Sequence, residues 1–264
     1  MEIMGATLAR PGALSKPFYS ETMGPAVLKR LEKTSWVGCP AYLLEVIFFI
    51  NALRYSDTKL SDEYSSHFFP ASLGSEKSSR LQSPTVILNH IEAFDPVAWA
   101  EDMQTFLFLH DLSKRIALAS AYKAAVSLYA RRVLSKLPLN TGSSGLPADK
   151  VDDDALANEL IFQLSLIDPQ DEHFKCTIWL TFIAGAESKY APQRNFTLAK
   201  LNALWNAISS VNVQNAAWVL KIMWQRQDQW RQTQERKRHI FVDEDGDFDW
   251  IEELDRSRRD WLFI

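Results

Sequence analysis

The chain has 264 residues, 47% apolar and 12% aromatic, enough for one to two domains with a sizeable buried core, which excludes an intrinsically disordered chain. Its nine glycines fall under half the usual share of about 7% and argue against β-sandwiches, propellers and dinucleotide-binding sheets, which need many tight turns. With 29 Lys and Arg against 33 Asp and Glu, the net charge is −4, and no overall charge grips nucleic acid or an anionic membrane.

Residues 1–20 read as a flexible leader: Pro11 and Pro17 interrupt them, and they hold no apolar stretch of signal-peptide length. Glu21 to Lys33 can form a first helix with Val27, Leu28 and Leu31 on one side. Gly38-Cys39-Pro40 breaks it, and Pro40 suits the first turn of the next helix, to Tyr55. That helix is apolar almost all round, the mark of a central one. Its most hydrophobic stretch, Ala41 to Leu53 with Glu45 and Asn51 inside it, falls short of the ~20 residues that cross a bilayer. No membrane association and a soluble, intracellular protein are expected.

The polar, Ser-rich residues 56–82 read as a long surface connection. Ser83-Pro84 restarts a helix, with serine as cap and proline at the first position, and Asp95-Pro96 repeats the signal before Val97 and Trp99. From Asp111 to Ser135, Leu118, Tyr122, Ala125, Tyr129 and Val133 recur at helical spacing on one stripe. Pro138 ends that helix and residues 139–150 form a loop. Helices are then predicted at Asp152–Leu166, Thr177–Lys189, Gln193–Ser209, Val213–Gln232 and Trp250–Trp261, with Val213, Ala217, Leu220 and Trp224 as the buried stripe of the fourth. Strand-like runs at Thr85–Leu88 and Ile240–Val242 are too short and too few for a sheet. The expected fold is all-α, a single large irregular helical domain over residues 21–264.

Motifs that carry chemistry mostly fail on spacing. The acidic run Asp243–Asp247 has Phe248 where a calcium loop starting at Asp243 needs glycine. Asp152, Asp153 and Asp154 splay around a helix axis instead of standing one turn apart, and three acids suit a helix N-terminus. Gly142-Ser143-Ser144-Gly145 lacks the second glycine of a nucleophile elbow, and Gly74–Ser78 lacks that of a phosphate loop. His67, His90, His110, His173 and His239 have no partner four residues away. Cys39 and Cys176 lie far apart in sequence with no further cysteine, which excludes a disulfide framework and a cysteine-rich zinc site; Cys39 reads as a small packed residue. Arg236-Lys237-Arg238-His239 is a basic cluster readable as a nuclear import signal or as the cationic end of a long helix. No catalytic, cofactor-binding or metal-ligating residue is therefore assigned, and no cofactor.

The order of several segments is more specific. Gly38-Cys39-Pro40 leads into Leu43-Leu44, and Arg115-Ile116-Ala117 into Tyr122-Lys123-Ala124-Ala125, Leu128-Tyr129 and Arg132-Val133-Leu134. Thr177-Ile178-Trp179 then leads into Phe182-Ile183-Ala184-Gly185-Ala186-Glu187, followed by Arg194-Asn195-Phe196. This arrangement, over roughly residues 25–264, resembles the fungal-specific transcription factor domain, the helical region C-terminal to a binuclear zinc cluster in regulators of filamentous fungi. That family usually has proline after the tryptophan, where this chain has Leu180, so the helix is expected to start differently. The six-cysteine cluster is not within these residues, and sequence-specific DNA binding through it is not carried over. As packing, Trp179, Phe182 and Ile183 supply an apolar face, Gly185 admits a neighbouring helix, and Glu187 can meet Arg194 across the turn.

The resemblance implies a non-enzymatic transcription-regulator-like protein without its own zinc cluster, a co-regulator of a metabolic or secondary-metabolite pathway located in the nucleus and also in the cytoplasm. Its implied partners are a full-length zinc cluster regulator or the transcription machinery, with a small-molecule effector. The alternative is an all-α biosynthetic enzyme or a small-molecule-binding accessory protein, resting on the aromatic-rich helical interior.

Overall fold

The computed structural model describes residues 7–8, 28–30, 32, 38–56, 84–107, 111–136, 153–238 and 248–256. Among them every regular element is helical: α1 (Ala41–Ser56), α2 (Pro84–Glu92), α3 (Pro96–Leu107), α4 (Leu112–Leu134), α5 (Asp153–Ser165), a 3-10 turn (Phe174–Thr177), α6 (Ile178–Ala186), α7 (Ala191–Ile208), α8 (Val211–Arg238) and α9 (Trp250–Arg256). The all-α fold is as expected, and Thr85–Leu88 is helix within α2.

Local chemistry sets the starts of these helices. Asp95 Oδ1 accepts from the backbone N–H groups of Val97 (2.8 Å) and Ala98 (3.2 Å), so α3 begins at Pro96, which has no N–H to satisfy. Asp111 Oδ1 accepts from Lys114 N at 3.2 Å and caps α4. Glu32 Oε1 accepts from Ala41 N (2.7 Å) and from Trp99 Nε1 (2.6 Å), capping α1 and tying it to α3. Helix α7 starts at Ala191, two residues before the expected Gln193, because Pro192 is tolerated in a first turn and Gln193 Oε1 accepts from the N–H groups of Lys189 and Tyr190.

Two helices organise the core. Helix α4 packs against α1, α2, α3, α5 and α6; α6 in turn packs against α5, α7 and α8. Every residue of α6 is buried. The expected α4 stripe is buried throughout, yet so are Ala117, Ala119, Ala121, Ala124, Val126 and Leu128. With neighbours on several sides, α4 has no single inner face, and its many alanines let them approach. On α8 the buried line runs through Val213, Ala216, Leu220 and Trp224; Ala217 is only half-buried, a one-residue correction to the expected stripe.

Two residues of the expected leader are anchored. Thr7 and Leu8 are buried at 0% and 1% exposure. Trp179 Nε1 donates to Thr7 Oγ1 at 2.8 Å, and Arg54 Nη1 donates to the Thr7 carbonyl at 2.9 Å. At these positions the chain is part of the core.

Candidate functional site

The Trp179–Glu187 block is the centre of the helical packing. The 3-10 turn runs straight into α6 at Ile178, and Leu180, in the place of the family's proline, is fully buried. Tyr122 on α4 stacks near Trp179, with centroids 6.4 Å apart, and donates its OH to the Cys176 carbonyl at 2.9 Å. A Cβ placed on Gly185 would lie 2.5 Å from Leu220 Cδ1 and 2.8 Å from Thr197 Cγ2. Its carbonyl accepts from Trp224 Nε1 at 2.9 Å. The glycine is where α7 and α8 close on α6.

Glu187 does not meet Arg194. It is 4% exposed, accepts from Arg132 Nε (2.9 Å) and Nη2 (2.7 Å), and takes a further bond from Trp250 Nε1 at 2.7 Å. One carboxylate thus joins α4, the end of α6 and α9. Arg194 instead bonds both oxygens of Asp228 at 2.8 Å and Gln227 Oε1 at 2.7 Å, with its guanidinium 5.5 Å from the Trp224 ring centroid. Both arginines serve helix packing, as forked donors on planar acceptors. The expected contact fails because the two side chains leave the α6–α7 turn toward different helices.

Distance in sequence hid one cluster. Gly38, at φ +75°, lies against Cys176, and Cys39 beside it is in the field of the same thiol. Burial holds the Cys39 thiol well above its ordinary pKa, with the Glu32 and Cys176 charges adding to it, and pushes Cys176 up to about 11. Thiols held protonated in this way are poor nucleophiles. Nearby His173 is 5% exposed, and burial, with the Arg115 guanidinium, lowers its pKa to about 4. Arg115 is paired with Asp171. His90 stacks on Tyr42 at 4.4 Å. His67, His110 and His239 lie outside the described residues.

The acids at the start of α5 are ion-pair partners: Asp154 meets Lys189 at 2.8 Å and Asp153 lies 3.7 Å from Arg131. Lys200, 9% exposed, donates to the carbonyls of Leu164 (2.6 Å) and Ile167 at the other end of α5, and burial lowers its pKa to about 8. No sequence motif announced that cap. Arg236 to Arg238 close the long helix α8. Asp152, Asp243–Asp247, Gly142–Gly145 and Gly74–Ser78 lie outside the described residues. Among the described residues no group of three His, Cys, Asp or Glu gathers to hold a metal ion, and no helix is long and apolar enough to cross a membrane. An open cleft of about 440 Å³ separates the C-terminal half of α8 from α9.

A family model described as the fungal specific transcription factor domain matches residues 1–264. The chain belongs to that family, the helical region of fungal transcription regulators. Among curated proteins it is similar to the acriflavine sensitivity control protein acr-2 of Neurospora crassa, 28% identical over 182 residues. The match covers 69% of this chain and 28% of that relative, so the chain corresponds to a minor part of the longer protein. No solved structure matches.

Proposed function

We propose that this chain is the regulatory region of a nuclear transcription regulator of a filamentous fungus, acting through a protein partner that supplies DNA recognition. The observation that carries this reading is the family match along the whole chain. These 264 residues, with two cysteines, do not themselves form a six-cysteine zinc cluster; the partner in this reading is a full-length zinc cluster regulator or the transcription machinery. The buried Cys39 thiol, the half-buried Cys176 thiol and the neutral His173 suit packing better than nucleophilic or acid–base chemistry, which favours a non-enzymatic role. The same proposal includes control of a metabolic or secondary-metabolite pathway and a small-molecule effector.

Tethering tests it. The chain is fused to a heterologous DNA-binding domain in a filamentous fungus and a reporter downstream of the matching operator is measured. Reporter transcription that changes severalfold, up or down, is the expected result. A fusion that reaches the nucleus and occupies the operator while leaving transcription at the level of the DNA-binding domain alone overturns the reading.

A further inference from the structure

We infer that the groove in which α9 sits is a docking site for an acidic amphipathic helix of a partner protein, with α9 as its tethered occupant. The seat is built by other elements. Trp250 is 1% exposed, its ring edge-on to Phe182 of α6 at 6.4 Å and 6.5 Å from Tyr129 of α4, and it donates Nε1 to Glu187 at 2.7 Å. Ile251 and Leu254 are buried with it. Trp250 and Leu254 stand one turn apart, the spacing by which a helix anchors in an apolar groove. Three cations from different parts of the core meet its acids. Arg54 of α1 pairs with Asp255, Arg226 of α8 with Glu253, and Lys136, just after α4, with Asp249 at 2.6 Å. The remaining acid, Glu252, pairs within α9 with Arg256. An aromatic floor under a cationic rim is complementary to an acidic helix with a large apolar anchor.

The same contacts make α9 exchangeable. It has seven residues, and helices shorter than ~12–15 residues are marginal in water, so its helical form depends on the seat. Its start signal travels with it, because Asp249 accepts from the N–H groups of Ile251 (2.8 Å) and Glu252 (3.1 Å). Its departure leaves no unpaired charge buried in the core. Glu187 keeps both bonds from Arg132, and Arg54 keeps the Thr7 carbonyl at 2.9 Å. Lys136 and Arg226 are 37% and 47% exposed and pass to water. A helix tethered in this way competes at an effective concentration on the order of millimolar, so a partner helix binds best where α9 has been loosened.

The docking site names the chemistry of the partner in the regulatory reading and rests on that reading only for what binding does in the cell. Binding is measured on the purified full chain, so a failure here leaves the tethering result standing. The probe is a fluorescein-labelled, end-blocked peptide of residues 247–258, followed by anisotropy; the comparison peptide has each Asp and Glu changed to Lys. The acidic peptide should bind the Trp250→Ala chain at least about tenfold more tightly than the wild type, whose own α9 competes. Adding Arg226→Glu should weaken it about tenfold, and the lysine peptide should not bind. Asp249→Lys with Asp255→Lys loosens α9 at its rim and serves where Trp250→Ala loses cooperative melting. Loss of cooperative melting in both would make α9 part of the core and overturn the inference. So would absence of peptide binding to a loosened chain, equal binding of the lysine peptide, or binding indifferent to Arg226→Glu. A wild-type chain that dimerises at micromolar concentration, and no longer does so with Trp250→Ala, would give the groove to a second copy and overturn the partner assignment.

Discussion

A methyl group at position 185 would press on Leu220 and Thr197, both fully buried. The alanine gains ~0.5–1 kcal/mol in helix propensity, but overpacking a filled core costs ~1–3 kcal/mol. Gly185→Ala should therefore lower the unfolding free energy by a net ~1–2 kcal/mol and Gly185→Leu by more, each read as a lower denaturant midpoint; level or raised midpoints would show the glycine to be incidental. Gly38 is constrained twice. Its φ of +75° disfavours a side chain, and a Cβ there would lie 2.6 Å from Cys176 Cβ. His173 makes a different residue-scale prediction. Its pKa is lowered to about 4 from an ordinary 6.5, so the unfolded chain takes up the proton first. Its contribution to stability is full above pH 6.5 and is lost as pH falls toward 4, up to about 3 kcal/mol in all. Unfolding free energies measured across that window should fall less steeply for His173→Gln than for the native chain; parallel curves would remove His173 from the acid limb.

Between helices, the largest dependence is on Glu187. Removing Arg132 strands a carboxylate that is 4% exposed, and breaking one side of such a buried pair costs ~3–5 kcal/mol. Arg132→Met should be destabilising on that scale, while Arg132→Met with Glu187→Met should recover much of the loss, since no charge is then left buried. A double variant as unstable as the single one would mean that the Trp250 Nε1 bond to Glu187, not the ion pair, dominates. Helix α4 offers a smaller test. Asp111→Ala removes the acceptor for Lys114 N and should cost about 1 kcal/mol by chemical denaturation.

Over the whole molecule, Thr7 and Leu8 at one side and α9 at the other are fastened to the helical core. Arg54 on α1 donates to the Thr7 carbonyl and pairs with Asp255 on α9, and Leu8 is buried at 1% exposure. Deleting residues 1–9 exposes the apolar surface that Leu8 covers and leaves Trp179 Nε1 without its acceptor. Burial of one leucine is worth ~1.5–3 kcal/mol, so a lower melting midpoint of the truncated chain is the expected outcome, and an unchanged one would show that the anchor contributes nothing. Charge at this scale also bears on nucleic acid. Helix α8 carries six Lys and Arg against two Asp and Glu, and Glu253 holds one of those cations, Arg226, in a pair. Against a net charge of −4, the purified chain should bind duplex DNA without sequence preference and no tighter than ~1 μM at physiological salt. Nanomolar, sequence-selective binding in an electrophoretic titration would contradict this.

Much of the helical framework was legible in the sequence, because its signals act over three or four residues. Asp95-Pro96 and Asp111 start helices by capping N–H groups that lie next to them, and the spacing of Leu118, Tyr122, Tyr129 and Val133 follows from 3.6 residues per turn. The block from Trp179 to Glu187 carried the family in the same way, as a local pattern. What the side chains pair with was decided in three dimensions. Glu187 could be matched by sequence to the nearby Arg194, yet its partners are Arg132 and Trp250, 55 and 63 residues away. Thr7 finds Trp179 across 172 residues, and Cys39 comes beside Cys176 only because α1 starts against the 3-10 turn. The cleft belongs to the same class: Arg226 and Trp230 meet Phe248, Glu253 and Arg256 through the packing of α8 beside α9. Capping and periodicity are fixed by neighbours along the chain, whereas a buried charge or an open cleft depends on which helices the core brings together.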